Sequence, residues 1–169
     1  MANDICCVMK VECFTEKKAN KIAALADEEG DGENFDFNKL IPLGENEYPV
    51  DKWGTKWFKD ASCELVDDTE LLCCFTTAWV PPFKFAQDFC KKFKVTARLK
   101  YYDIDDFGAN CGYFEIDKNG DIDDEDHYRS IEDGGLDFIA DEWGEEEVEF
   151  MGYKKDENGE WHYEDEDEK

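Results

Sequence analysis

Carboxylates are the side chains present in sufficient number and spacing to do chemistry. The chain holds 45 Asp and Glu against 19 Lys and Arg, a net charge of −26. They run in blocks: Asp103, Asp105 and Asp106; Asp123, Asp124, Glu125 and Asp126; Glu145, Glu146 and Glu147. Side chains on one face of a strand recur about every 6.6 Å. Neighbours on one face of a helix lie about 5–6 Å apart. Carboxylates fixed at either spacing imitate a line of backbone phosphates. A protein groove lined with Lys and Arg would gain counterion-release entropy from them, as it does from DNA. The plainer explanation is that the charge keeps the protein soluble. Against it, self-repulsion of this size costs stability, and aromatic residues are interleaved with the acids. The ten acids named above are therefore the expected partner-binding residues.

Other chemistry has less to stand on. The two histidines, His127 and His162, have no nearby Ser or Cys in a catalytic pattern. Phosphate-cradling glycine patterns and a nucleophile elbow are absent. No catalytic residue is expected, and the chain reads as a non-enzyme. An enzyme reading would need a deep pocket with a titratable group of perturbed pKa, for which Lys56 and Asp60 are the only obvious residues. The eight cysteines include no Cys-x-x-Cys, and the adjacent pairs Cys6-Cys7 and Cys73-Cys74 fall on expected strands. Neighbours on a strand point to opposite faces, so such a pair does not chelate one zinc. The segment starting at Asp117 begins like a calcium loop, but Ile122 stands where that loop needs Gly and Tyr128 where it needs Glu. A hairpin turn at Asn119-Gly120 accounts for the same residues. No metal and no cofactor are expected.

The charge is uneven. Residues 1–102 hold 18 acids and 14 bases, and residues 103–169 hold 27 acids and 5 bases. The second part would repel nucleic acid and anionic membrane. The expected partner is instead the basic groove of a host nucleic-acid-binding protein, with no direct nucleic acid binding and no membrane contact. Neither a signal peptide nor an 18-residue apolar run is legible, so the host cytoplasm, with reduced thiols, is the expected compartment.

The elements that must position the acids follow from pattern. Residues 5–14 are β-rich. Residues 15–28 read as a helix opened by Thr15. Residues 34–59 read as irregular, punctuated by Pro42, Gly44, Pro49 and Gly54. They still carry Phe35, Phe37, Leu40, Ile41, Trp53 and Trp57, so this loop should pack down on the core. Strands are expected at 60–66 and 71–79, a helix at 82–93 with Phe85, Phe89 and Phe93 on one face, and an alternating strand at 94–103. The order is β-α-β-β-α-β, that of an α+β ferredoxin-like antiparallel sheet with two helices. Beyond it, Asn119-Gly120 and Asn158-Gly159 mark two hairpins, with strands at 111–117 and 121–124 and at 147–155 and 160–164. A short helix is expected within 130–141. The expected division is a ferredoxin-like domain over 1–115, an acidic β-hairpin and helix extension over 116–163, and an acidic tail over 164–169.

Three strings point to a family. Phe37-Asn38-Lys39-Leu40-Ile41-Pro42, Trp53-Gly54-Thr55-Lys56-Trp57 and Phe75-Thr76-Thr77-Ala78-Trp79-Val80-Pro81-Pro82 occur in this order. In them the chain resembles the YubB/Api-type ferredoxin-like domain family of plasmid and phage proteins, over roughly residues 1–115. The resemblance implies a ferredoxin-like fold and a mobile-element origin, and it transfers no catalytic site. The stretch from about 117 is more acidic than the family leads one to expect, which places a special function there. Trp53, Trp57 and Trp79 read as anchors for the 34–59 segment, with a pocket of Trp53, Lys56, Trp57 and Trp79 as the alternative. Together these readings describe an acidic inhibitor that imitates nucleic-acid phosphates and blocks a host defence enzyme, a CRISPR effector or a restriction nuclease. The alternative is a non-inhibitory mobile-element protein whose acids serve solubility or generic binding.

Overall fold

Alternating apolar residues build the sheet. A computed structural model describes residues 3–26, 35–105 and 110–164 of the chain. In chain order the elements are β1 (Asp4–Glu12), α1 (Glu16–Ala26), α2 (Phe37–Leu40), α3 (Pro49–Trp53), β2 (Phe58–Asp67), β3 (Glu70–Ala78), α4 (Phe83–Phe93), β4 (Thr96–Asp103), β5 (Cys111–Ile116) and β6 (Ile122–Tyr128). A 3-10 turn at Ile131–Asp133 leads to α5 (Gly135–Trp143), α6 (Glu145–Phe150), β7 (Tyr153–Lys155) and β8 (Trp161–Tyr163). The main sheet has the order β2-β3-β1-β4-β5-β6, antiparallel throughout. Its first four strands form the ferredoxin-like βαββαβ arrangement, and β5 and β6 extend it beyond β4.

The two faces of the sheet carry separate cores. Ile5, Cys7, Met9 and Val11 of β1, Leu71, Cys73 and Phe75 of β3, and Ala97, Leu99 and Tyr101 of β4 share one face, by strand alternation. They are buried with Ala19 and Ile22 of α1 and Phe85 and Phe89 of α4. On the other face Tyr102 and Cys111 are buried with Leu136, Ile139, Val148, Met151 and Tyr153, so α5, α6 and the β7–β8 hairpin cover part of the side that α1 and α4 leave open. The sheet thus runs on past residue 115, which falls inside β5.

The 34–59 segment packs down as its aromatics require, but it is not all loop. Asp36 caps α2 by accepting from Asn38 N at 2.7 Å, and Pro49 opens α3. Phe37 stacks on Phe85 with ring centroids 3.8 Å apart. Trp53 is buried and donates its Nε1 to Ile41 O at 2.8 Å. The expected strand at 147–155 is a correction: Glu145–Phe150 is helix α6, and only Tyr153–Lys155 is strand. Acids in a first helical turn are stabilised by the helix dipole, which favours helix for the Glu145-Glu146-Glu147 run. The end of the expected 15–28 helix, the residues up to 34 and the expected acidic tail from residue 165 lie outside the described residues.

The two Asn-Gly hairpins are built alike. In the first, Asp117 Oδ1 accepts from Asn119 N at 2.7 Å and Asp121 N at 2.9 Å. In the second, Asp156 Oδ1 accepts from Asn158 N at 2.8 Å and Glu160 N at 3.0 Å. Gly120 and Gly159 supply φ of 85° and 86°. These backbone bonds, that of Asp121 N foremost, hold the Asp117 carboxyl below its ordinary pKa, and the Glu160 N–H foremost holds Asp156 at about 2. The residues that resemble the start of a calcium loop are spent on closing the turn.

Candidate partner-binding surface

Burial separates the ten expected acids. Asp103 is 3 % exposed and accepts from Asn3 Nδ2 at 3.1 Å and Asp105 N at 3.0 Å. It braces the end of β4, so among the ten acids its carboxylate is nearly closed to solvent. Asp105 is exposed and accepts from Asp4 N at 3.1 Å. Asp106 lies outside the described residues. Asp123, Asp124, Glu125 and Asp126 are all exposed on β6, the edge of the sheet. Glu145 and Glu146 are exposed on the first turn of α6, whereas Glu147 is half-buried. The expected set is therefore not one row but two groups, on β6 and on α6, with Asp105 apart on the turn after β4.

Register decides which β6 acids look the same way. Asp126 pairs with Tyr113 and Asp124 with Glu115, so Asp124, Asp126 and Tyr128 share the face on which α5 packs. Glu125 and His127 point to the α4 side, where His127 Nδ1 lies 3.0 Å from the Tyr101 hydroxyl. The pairing passes from Glu115↔Asp124 to Ile116↔Ile122, leaving Asp123 as the extra residue of a bulge.

Neutral donors hold the carboxylates in place. Tyr113 donates its hydroxyl to Asp124 Oδ2 at 2.8 Å, Tyr128 to Asp126 Oδ2 at 3.1 Å, and Tyr102 to Glu147 Oε1 at 2.6 Å. Trp161 donates its Nε1 to Asp137 Oδ1 at 3.0 Å. A phenol or indole fixes a carboxylate without cancelling its charge. The tyrosines register the arrangement: burial and then the Glu147 hydrogen bond raise the Tyr102 pKa, and burial, the Asp126 bond and the nearby Asp141 charge raise that of Tyr128. Their rings are themselves locked, since Phe138 of α5 stacks on both Tyr128 and Tyr113, at 5.1 and 6.3 Å.

Some acids on this side are paired with cations. Glu145 Oε1 lies 2.8 Å from Lys155 Nζ. Glu142 binds Arg98 Nη2 at 2.6 Å and Lys100 Nζ at 3.2 Å, clamping α5 to β4. The Lys100 ammonium also lies 4.4 Å from the Trp143 ring centroid. Asp137 and Asp141, on the exposed side of α5, join the acidic surface; they stand singly in the sequence, outside the acidic runs that marked the expected contacts, although the helix itself was expected. The tyrosine donors were missed too: the expected strand stops at residue 124, whereas β6 runs on to Tyr128 and so sets Asp126 and Tyr128 on one face.

The tryptophan segment divides between core and solvent. Trp53 is core, whereas Trp79 is 48 % exposed at φ 65° with Lys56 Nζ 5.0 Å from its ring centroid. Trp57 carries a different lysine, Lys59, at 5.4 Å. Asp156, Glu160 and His162 bring ligand atoms within 4.8 Å of one another on the second hairpin, but Asp156 there is occupied by turn hydrogen bonds.

A family model described as the ferredoxin-like domain in Api92-like protein matches residues 52–137. The chain belongs to this family. The match opens at α3 and closes within α5, so the Api92-like domain takes in β5 and the acidic strand β6, beyond the 115 residues over which the resemblance was read. The rest of α5, then α6 and the β7–β8 hairpin, follow it. No match was found among curated proteins or among solved structures. Among the described residues no helix is long and apolar enough to cross a membrane.

Proposed function

We propose that this Api92-like protein is a non-enzymatic inhibitor of mobile-element origin, acting in the host cytoplasm. Its fixed carboxylates stand in for nucleic-acid phosphates and fill the Lys/Arg-lined groove of a host defence enzyme, a CRISPR effector or a restriction nuclease. The observation that carries the reading is the set of neutral aromatic donors on Asp124, Asp126, Asp137 and Glu147. Charge needed only for solubility gains nothing from being oriented. Charge meant for a groove gains by having side-chain freedom removed before binding.

One observation favours the plainer reading. β6 is a sheet edge, and charged side chains on an edge keep it from pairing with other chains. The two readings separate in a binding titration against purified CRISPR effectors and restriction nucleases at rising salt. The inhibitor reading expects a complex at about 0.1 M salt that weakens steeply as salt rises, and weakens further with Asp124→Asn and Asp126→Asn. A complex indifferent to salt and to both substitutions, or no complex with any such enzyme, overturns it.

A further inference from the structure

We infer that the outer edge of β6 takes up an extended, Lys/Arg-rich segment of the partner as a seventh strand of the sheet. This rests on the reading that the partner is basic, and adds the conformation in which it is held.

Among the described residues β6 pairs with β5 alone. From Cys111↔Tyr128 to Glu115↔Asp124 the pairing is regular over five consecutive residues, about 17 Å of strand. The opposite edge is different. β2 is broken by register shifts between Lys59 and Ser62 and between Leu65 and Asp67, and Asp60 sits at φ 50°. Such bulges spoil an edge for pairing, so β6 is the regular edge.

The hydrogen bonds show which groups of β6 face outward. Tyr128 O accepts from Asn110 N at 3.1 Å, so the Tyr128 backbone turns towards the chain entering β5. Alternation along an antiparallel strand turns Asp126 and Asp124 the same way, and Glu125 and His127 outward. His127 agrees independently: its N–H bonds to its neighbour, Asp126 Oδ1, at 2.9 Å. An added strand would displace that weak local contact and bond to Glu125 and His127.

The side chains select the occupant. A strand laid along β6 meets Asp124 and Asp126 on one face and Glu125 on the other, so Lys or Arg on both of its faces finds a carboxylate. Opposite charges across a strand pair are favourable and like charges are not. A second copy of β6 is therefore excluded by the same residues that attract a basic strand. In strand addition the main chain supplies affinity and the side chains specificity.

The probe is an alternating Lys-Thr decapeptide, compared with the same peptide N-methylated at every second residue, which keeps the charge and removes one hydrogen-bonding edge. With the full chain at low salt, the unmethylated peptide is expected to bind at least about tenfold more tightly, the worth of one to two hydrogen bonds. On the protein side, Glu125→Pro removes one outward N–H and should weaken the peptide well beyond the charge-matched Glu125→Gln, with near-UV circular dichroism checking the fold. Equal binding of both peptides overturns strand addition and leaves phosphate imitation standing, since that is read from nuclease binding. Absence of binding by either peptide also overturns it.

Discussion

Tyr102 of β4 donates its hydroxyl to Glu147 Oε1 of α6 at 2.6 Å, tying the acidic helix to an inner strand of the six-stranded sheet. The same relation recurs at Tyr113–Asp124 and Tyr128–Asp126 on the edge strand. Through these contacts the negative surface is part of the folded sheet.

Replacing Tyr113 and Tyr128 by Phe leaves net charge unchanged and frees Asp124 and Asp126. Each substitution is expected to weaken a defence-enzyme complex by about three- to tenfold, the cost of ordering one side chain on binding. Equilibrium titration of the single and double variants checks it. Unaltered affinity in the double variant would mean that carboxylate orientation is irrelevant.

Asp103→Ala is expected to act on stability and not on binding. It strands the Asn3 amide and the Asp105 N–H that the buried carboxylate now accepts from, a loss of about 1–3 kcal/mol. Chemical denaturation measures it. Affinity for the partner, per folded molecule, should stay within about twofold, as expected of a site away from the contact.

The two hairpins predict unequal costs for the same substitution. A Cβ at Gly120 would stand 2.6 Å from Gln87 O, whereas one at Gly159 meets nothing within 4 Å. Both glycines hold positive φ, which costs Ala about 1 kcal/mol. Gly120→Ala should lose about 1–3 kcal/mol more, from overpacking against α4. Comparable midpoints for the two variants in denaturant would show that the first hairpin is not docked there.

The turn carboxylates give a pH test. Asp156 has a folded-state pKa of about 2 against an ordinary 3.8. A depressed acid contributes stability above its unfolded pKa and loses it as pH falls through the folded value. The second hairpin should therefore loosen between about pH 4 and pH 2, read from the amide shifts of Asn158 and Glu160. A midpoint near 4 would mean the turn hydrogen bonds do not hold the carboxylate.

Burial raises the pKa of Cys111 and Cys90 to about 12 and that of Cys6 to about 11. Thiols this far above neutrality hold little thiolate. Native protein should therefore react slowly with a disulfide reagent at pH 8, and all eight cysteines of the chain should react once it is unfolded. Fast labelling of Cys90 or Cys111 in the native state would contradict their burial.

The core was the legible part of the sequence. Alternation in 94–103 and the Phe85, Phe89, Phe93 spacing each report one buried face, and burial is what periodicity encodes. Asn119-Gly120 and Asn158-Gly159 were legible because a turn needs those residue types. The failures are non-local. Whether Asp103 is buried depends on Asn3, a hundred residues away. The helix α6 reads as strand because Val148 and Phe150 alternate with acids, and only the packing of Val148 against the second core reveals the turn. The β6 acids were found as a run, but their division between two faces depends on the register with β5.

The central claim is that these oriented carboxylates occupy the place of nucleic-acid phosphates. It is tested most directly by competition: labelled DNA is bound to a CRISPR effector or a restriction nuclease, and the protein is titrated in. The account predicts displacement, with an apparent inhibition constant that rises in proportion to the DNA concentration. An apparent constant that stays fixed as DNA is raised, or DNA that stays bound at saturating protein, would contradict it.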